Sequence, residues 1–266
     1  MKKVIKNIAF GAVIGASILI PDMSGGTTAL ILGIYSRIIA AIDELFSDFK
    51  KNFPYLLILT AGAAVGFYVC SFPIKFILDR YSFEFSFFVI GVIAGSLPIF
   101  VKGAGKFKIK YILYTIIGAA LTLLVDMSAG VRLGNTDNAI IFILVGLLSA
   151  VALILPGISL TYILIAFGYY DSLIIAVNSI DILFLLKFGS VVIIGIFAFT
   201  KVLNIAYKKY PVSINMMILG MVAASVKQIF IRLPMYGEIA PCLLLLVGGF
   251  SVSLLFGLLG KGTDCF

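Results

Sequence analysis

Two short stretches hold the residues that could do chemistry in an otherwise apolar chain: Pro21-Asp22-Met23-Ser24-Gly25-Gly26-Thr27-Thr28 and Pro156-Gly157-Ile158-Ser159-Leu160-Thr161. A proline has no N–H and biases the residue before it away from the α region, so Pro21 and Pro156 end the helices that run into them. Ser24 is a good N-cap for an outgoing helix, and Ser159 repeats the plan. Gly25 and Gly26 leave backbone N–H groups uncovered in a turn read as needing φ > 0, and Thr27 and Thr28 add hydroxyl donors. Free N–H groups at a helix start carry partial positive charge and suit a phosphate or carboxylate. The chemistry implied is anion binding, with Ser24, Gly25, Gly26, Thr27 and Thr28 from one stretch and Gly157, Ser159 and Thr161 from the other.

Each feature also has a plainer reading. Ser-Gly-Gly can simply let membrane helices pack closely. Asp22 can accept hydrogen bonds from nearby N–H groups in its own turn, or serve as a protonatable group beside the anion, available for proton coupling. Arg37 can snorkel to the membrane surface or form the cationic end of an anion path.

The rest of the composition narrows the class. Of 266 residues, 62% are hydrophobic and 12% charged, with a mean hydropathy of +1.20. A soluble domain needs more polar surface than this, so the solvent of this chain is largely lipid. The net charge of +8 sits in short basic clusters between apolar spans, which speaks for membrane orientation and against a nucleic-acid partner. With no histidine, the chain lacks the usual metal ligand and the commonest acid–base group. Neither a Cys near the Ser-Gly-Gly run nor a carboxylate cluster replaces it, so the expectation is no enzyme, no metal and no cofactor.

The elements that position the two stretches form a repeat. Gly11–Arg37 laid on Gly146–Ser172 matches Gly11, Pro21, Ser24, Gly33 and Tyr35 with Gly146, Pro156, Ser159, Gly168 and Tyr170. After a six-residue shift, Asp79–Ser96 faces Lys208–Ser225, matching Tyr81, Gly91 and Ser96 with Tyr210, Gly220 and Ser225. Residues 1–125 and 139–260 are therefore read as internal repeats of one transmembrane domain spanning 1–266. Lys2, Lys3 and Lys6 before an apolar run also resemble a signal peptide, but a segment that is half of a repeat is expected to stay in the protein.

Each half reads as a broken segment followed by three apolar spans, near 53–74, 85–101 and 109–127, and near 182–200, 212–231 and 239–259. The pieces around the first break, Ile8–Ile20 and Ala29–Ile42, have 13 and 14 residues. Each reaches roughly 20 Å, short of the roughly 30 Å hydrocarbon core, which favours a re-entrant hairpin over two crossings. Either choice gives an odd number of crossings per half. The predicted fold is thus all-α, a polytopic membrane protein of two inverted-topology repeats, as in many secondary transporters whose sites lie at broken helices. The N-terminus, 43–52, 102–110, 201–211 and the C-terminus then share a side with fourteen of the basic residues, Arg37 included, against six on the other. The positive-inside rule makes that side cytoplasmic.

At these residues the chain resembles the PopT-type polyprenyl-phosphate transporter family, formerly a domain of unknown function. The carriers of the resemblance are "PDMSGGTTALILGIYSRII" (21–39), "LPGISLTYILIAFGYYDSLI" (155–174) and "GVIAGSLP" (Gly91–Pro98). The family pattern is Pro-Gly-x-Ser-Gly-Gly-Thr followed by Gly-x-Tyr-Glu, with a looser Pro-Gly-x-Ser-Gly-Ser version in the second half. Pro21, Ser24, Gly25, Gly26, Thr27, Gly33, Tyr35, Pro156, Gly157, Ser159, Gly168 and Tyr170 match it. Asp22 replaces a Gly, Ser36 a Glu, and Leu160-Thr161 a Gly-Ser pair, while Asp171 keeps an acid. The resemblance implies return of undecaprenyl phosphate or a similar carrier lipid from the outer to the cytoplasmic leaflet of a plasma membrane for envelope synthesis. A carrier or channel for a small soluble anion remains the rival, ahead of an intramembrane lipid phosphatase.

Overall fold

A computed structural model of the protein describes residues 2–20, 23–102, 109–128, 138–232 and 239–260. They form helices throughout: α1 (Lys2–Ile18), α2 (Gly25–Ile31), α3 (Tyr35–Asp43), α4 (Phe49–Lys102), α5 (Ile109–Ser128), α6 (Ala139–Ile154), α7 (Leu160–Ala166), α8 (Tyr170–Asn178), α9 (Ile182–Lys209), α10 (Pro211–Arg232) and α11 (Ile239–Gly260). No strand occurs among the described residues.

The two interruptions read from the sequence are present, and each is followed by a second one. Leu155, before Pro156, is extended at ψ 124° and ends α6, as the steric demand of the proline ring requires. Pro21 lies outside the described residues. Beyond the breaks, the outgoing arm expected as one helix over 29–42 is two helices, α2 and α3, bent by 119°; α7 and α8 are bent by 108°. The cause is a left-handed glycine in each: Gly33 at φ 70° and Gly168 at φ 74°. Around them Ile34 N–H bonds the Ala29 carbonyl, and Tyr169 N–H the Leu164 carbonyl, the closure that stops a helix at a left-handed residue.

α4 reaches 54 residues because two helices join end to end at Tyr81, in agreement with the two spans read near 53–74 and 85–101. At about 1.5 Å per residue it would extend roughly 80 Å if straight, long enough for more than one crossing. A kink at Tyr81 (φ −132°, ψ 33°) divides it. In the second half the same tyrosine position, Tyr210, has φ −136° and ψ 55°, but there Pro211 forces the helix to end. Ser82 imposes no such stop, so in the first half the second helix starts directly beyond the kink.

Helix packing exchanges elements between the halves. α1 lies on the N-terminal part of α4, and α6 lies on α9. The C-terminal part of α4 packs on α11 while α10 packs on α5. At these last crossings a Cβ on Gly249 would collide with the Phe88 carbonyl, and one on Gly118 with the Met217 carbonyl. With no Cβ, the two backbones approach as membrane helices do at small residues.

Large apolar side chains cover the outside, including Tyr68, Phe72 and Leu244. On a water-soluble surface such an array would be an association hazard; against lipid it is the solvated face. Among the described residues four helices are long and apolar enough to cross a membrane, or up to six if each bent pair counts as one span. The protein is a multi-pass membrane protein.

Candidate functional site

Both breaks line a single cavity of about 890 Å³. From the first come Met23, Ser24, Gly25 and Gly26; from the second, Gly157, Ile158, Ser159, Leu160 and Thr161. Apolar walls come from α1, α3, α4 and α6. The polar lining consists of backbone and hydroxyls, with Thr60, Tyr35, Tyr170 and Ser225 added to Ser24, Ser159 and Thr161. No charged side chain lines it among the described residues. A cavity of this kind binds an anion by convergent N–H and O–H donors in a low dielectric, where each bond to a charge is stronger than in water.

The two serines differ in use. Ser24 caps α2: its Oγ accepts from Thr27 N–H at 3.1 Å and lies 2.9 Å from the Thr27 hydroxyl. Thr28 donates to the Ser24 carbonyl at 3.4 Å. Thr27 and Thr28 are both buried and lie outside the cavity lining. The first turn thus uses its own hydroxyls. Ser159 stands at the equivalent N-cap of α7 without a side-chain capping bond, so its hydroxyl and that of Thr161 are the polar groups the second turn leaves for a ligand.

The glycines also divide differently from the reading of the sequence. Gly25 and Gly26 form the first turn of α2 with right-handed backbones, so neither serves a φ > 0 turn. Their lack of a Cβ matters for space: one on Gly26 would lie 3.2 Å from the Ile154 carbonyl oxygen and 3.4 Å from Pro156 Cγ, across the halves. The left-handed backbone is at Gly157, φ 83°. Pro156 is fully buried behind the cavity wall. Asp22, like Pro21, lies outside the described residues.

Arg37 is placed away from the cavity. Its Nη2 donates to Asn52 Oδ1 at 3.0 Å, its guanidinium stacks on the Tyr55 ring at 4.9 Å, and Asn52, completely buried, donates in turn to the Glu44 carbonyl. Arg37→Ala is expected to leave that amide oxygen unpaired, at a cost of about 1–3 kcal/mol. Thermal unfolding in detergent should show the loss, whereas Lys50→Ala, at an exposed position, should leave the midpoint unchanged.

Sequence reasoning did not single out Thr60 or Ser225. Ser225 had a signal, since it matches Ser96 in the other half; Thr60 had none, because a lone threonine in an apolar span is commonplace. Tyr35 and Tyr170 were seen only as motif matches. Tyr35 OH donates 2.9 Å to the Ile154 carbonyl, which the end of α6 leaves without a helical partner.

Comparison with known proteins places this arrangement in context. Residues 14–238 match a family model described as VCA0040-like, undecaprenyl phosphate translocase-like. A polyprenyl-phosphate transporter of Staphylococcus aureus is 29% identical over 245 residues, covering 86% of this chain and 87% of the relative. Another, from Vibrio cholerae, is 25% identical over 214 residues, covering 75% and 69%. Family and relatives alike are described as moving a lipid phosphate, not as enzymes. No solved structure matches the chain.

Proposed function

Because the chain belongs to the undecaprenyl phosphate translocase-like family, we propose that it transports a polyprenyl phosphate such as undecaprenyl phosphate, returning it from the outer to the cytoplasmic leaflet of the plasma membrane for envelope synthesis. The observation that carries this reading is the single cavity walled by both breaks, polar at its turns and apolar around them. The phosphate head meets Ser24, Gly25 and Gly26 on one side and Gly157, Ser159 and Thr161 on the other. The isoprenoid tail stays in lipid through a mouth edged by the exposed Thr60, Leu153, Thr161 and Tyr170. Thr27 and Thr28 brace the first turn through Ser24, Arg37 ties α3 to Asn52 of α4, and Asp22 is proposed from its place in the sequence as a protonatable group for coupling.

Two inverted repeats supply the mechanism, rocking about the bound head group. Support comes from the matched bends at Gly33 and Gly168, the matched kinks at Tyr81 and Tyr210, and the matched crossings of α4 with α11 and α10 with α5. The distribution of Lys and Arg supports cytoplasmic termini. Cysteines replacing Ala104 and Asn135 are expected to react with an impermeant reagent from the cytoplasmic and external faces respectively. Labelling of both from one face would overturn the inverted arrangement.

The substrate is tested by thermal stabilisation of the purified protein. A polyprenyl phosphate should raise the unfolding temperature, and inorganic phosphate and the unphosphorylated polyprenol should not. Stabilisation by inorganic phosphate alone would move the reading to a soluble-anion carrier. Ser159→Ala, which breaks no bond in the ligand-free protein, is expected to weaken polyprenyl-phosphate binding about tenfold, the worth of one hydrogen bond to a charged group, with the ligand-free unfolding temperature unchanged.

A further inference from the structure

The matched tyrosines Tyr35 and Tyr170 stand at equivalent positions, each just past its left-handed glycine, yet their surroundings differ sharply. Tyr35 is 3% exposed and its hydroxyl bonds the Ile154 carbonyl of the other half. Tyr170 is 37% exposed, and its hydroxyl has no hydrogen-bond partner among the described residues. The repeat that places Ile154 opposite Tyr35 places Leu19 opposite Tyr170, and both Leu19 and Tyr170 line the cavity.

The same asymmetry extends along the helices that carry them. α3 is seated on α9, where Asn204 donates to Asp43 Oδ2 at 2.8 Å, Lys208 pairs with Glu44 at 3.1 Å and Phe46 packs on Phe197 with ring centroids 5.2 Å apart. The equivalent helix α8 has no comparable packing on α4 among the described residues. The residues equivalent to Asp43 and Asn204 are Asn178 and Lys75, both exposed. A rigid two-fold object would treat these seams alike. Here one is shut and the other is open, and the open one holds Thr60 and Tyr170 at the cavity mouth.

We propose that Tyr35 and Tyr170 are the alternating latches of one gate. In the conformation described, the Tyr35–Ile154 bond and the Asp43–Asn204 contact close the α3/α9 seam, while the α8/α4 seam admits the lipid. In the opposite conformation Tyr170 bonds the Leu19 carbonyl, Asn178 meets Lys75, α8 closes on α4, and the α3/α9 seam opens. With cytoplasmic termini the state described is closed inward and open outward. The proposal rests on the repeat and transport reading above. Both tyrosines act as positioning residues, through the helix breaks that hold the head group.

The test reads the two seams directly. In a chain whose own Cys70, Cys242 and Cys265 are replaced by Ala, one pair of cysteines replaces Asp43 and Asn204 and a second replaces Lys75 and Asn178. Both pairs are expected to form disulfides in membranes, and a molecule closed at one seam should not close at the other. Tyr35→Phe, which removes one hydrogen bond of the shut seam, should raise the yield of the 75–178 bridge relative to the 43–204 bridge about fivefold. Tyr170→Phe should shift the ratio the opposite way, which a purely structural role for either ring would not do. The proposal is overturned if the 75–178 pair never bridges, if one molecule bridges both seams, or if both phenylalanine variants leave the ratio unchanged. The ratio is read without substrate. Should it shift as stated while a polyprenyl phosphate fails to stabilise the protein, the substrate assignment fails and the latch stands.

Discussion

Gly26→Val is expected to abolish uptake of the carrier lipid while the protein inserts at normal levels. Gly26 faces the other half of the molecule, and even a bare Cβ there would come within 3.2 Å of the Ile154 carbonyl oxygen. That carbonyl also receives the Tyr35 hydroxyl, so it has little freedom to retreat. A valine adds two methyl groups beyond that Cβ, filling the cavity between the turns and covering the N–H groups that face it. Gly26→Ala, which needs only a small shift of the neighbouring chain, should retain transport within about tenfold of the parent. Thr161→Val keeps the volume of its side chain and removes one hydroxyl, so its cost should be several-fold, on the scale of one hydrogen bond. The readout is polyprenyl phosphate on the outer surface of cells relying on this transporter alone, which should accumulate with Gly26→Val. An unchanged pool at equal expression would make the glycine a packing device and remove the first break from the site.

Gly157→Ala acts on folding and is the more damaging of the two. The backbone there is at φ 83°, a region that costs an L-residue about 1–2 kcal/mol. The added Cβ would also lie 2.6 Å from both the carbonyl carbon and oxygen of Met221. No side chain can turn aside to relieve that contact, because the obstacle is the backbone of α10 at a point where Met221 and Val222 are completely buried. Either α10 or the break must move, and each is packed into the central core. The combined cost is expected at several kcal/mol, a large share of a typical folding free energy. Thermal unfolding in detergent should show a sharply lowered midpoint or no folded fraction. A midpoint within a degree or two of the parent would show that this turn tolerates a side chain.

The amino-acid sequence determined the class of this protein, the places where its helices break and much of its internal correspondence. Lipid as solvent followed from the scarcity of polar residues. The end of α6 followed from Pro156, because a missing N–H and a restricted preceding residue act over one or two positions and need no tertiary context. The cap by Ser24 is local in the same way. The left-handed stops at Gly33 and Gly168 were in view as matched glycines, but apolar periodicity ran straight through them, so the second bend in each arm was missed. The two spans within α4 were legible as separate apolar runs; what was not legible is that they join without a gap, because the end of α9 at Tyr210 is written in Pro211 and its counterpart at Tyr81 has no proline. Only the tertiary structure decided which polar groups are spent and which are free. Thr27 and Thr28 point the same way as Ser24 in a list of residues, yet they are buried around it, while Ser159 and Thr161 face the cavity. Arg37 reads as a cation near an anion site until Asn52, fifteen residues away, takes its guanidinium. The inequality of Tyr35 and Tyr170 lies beyond any sequence, because two matched segments specify two equivalent contacts. Which of the two is made belongs to the conformation: here the Tyr35 contact is made and Tyr170 stands exposed at the cavity.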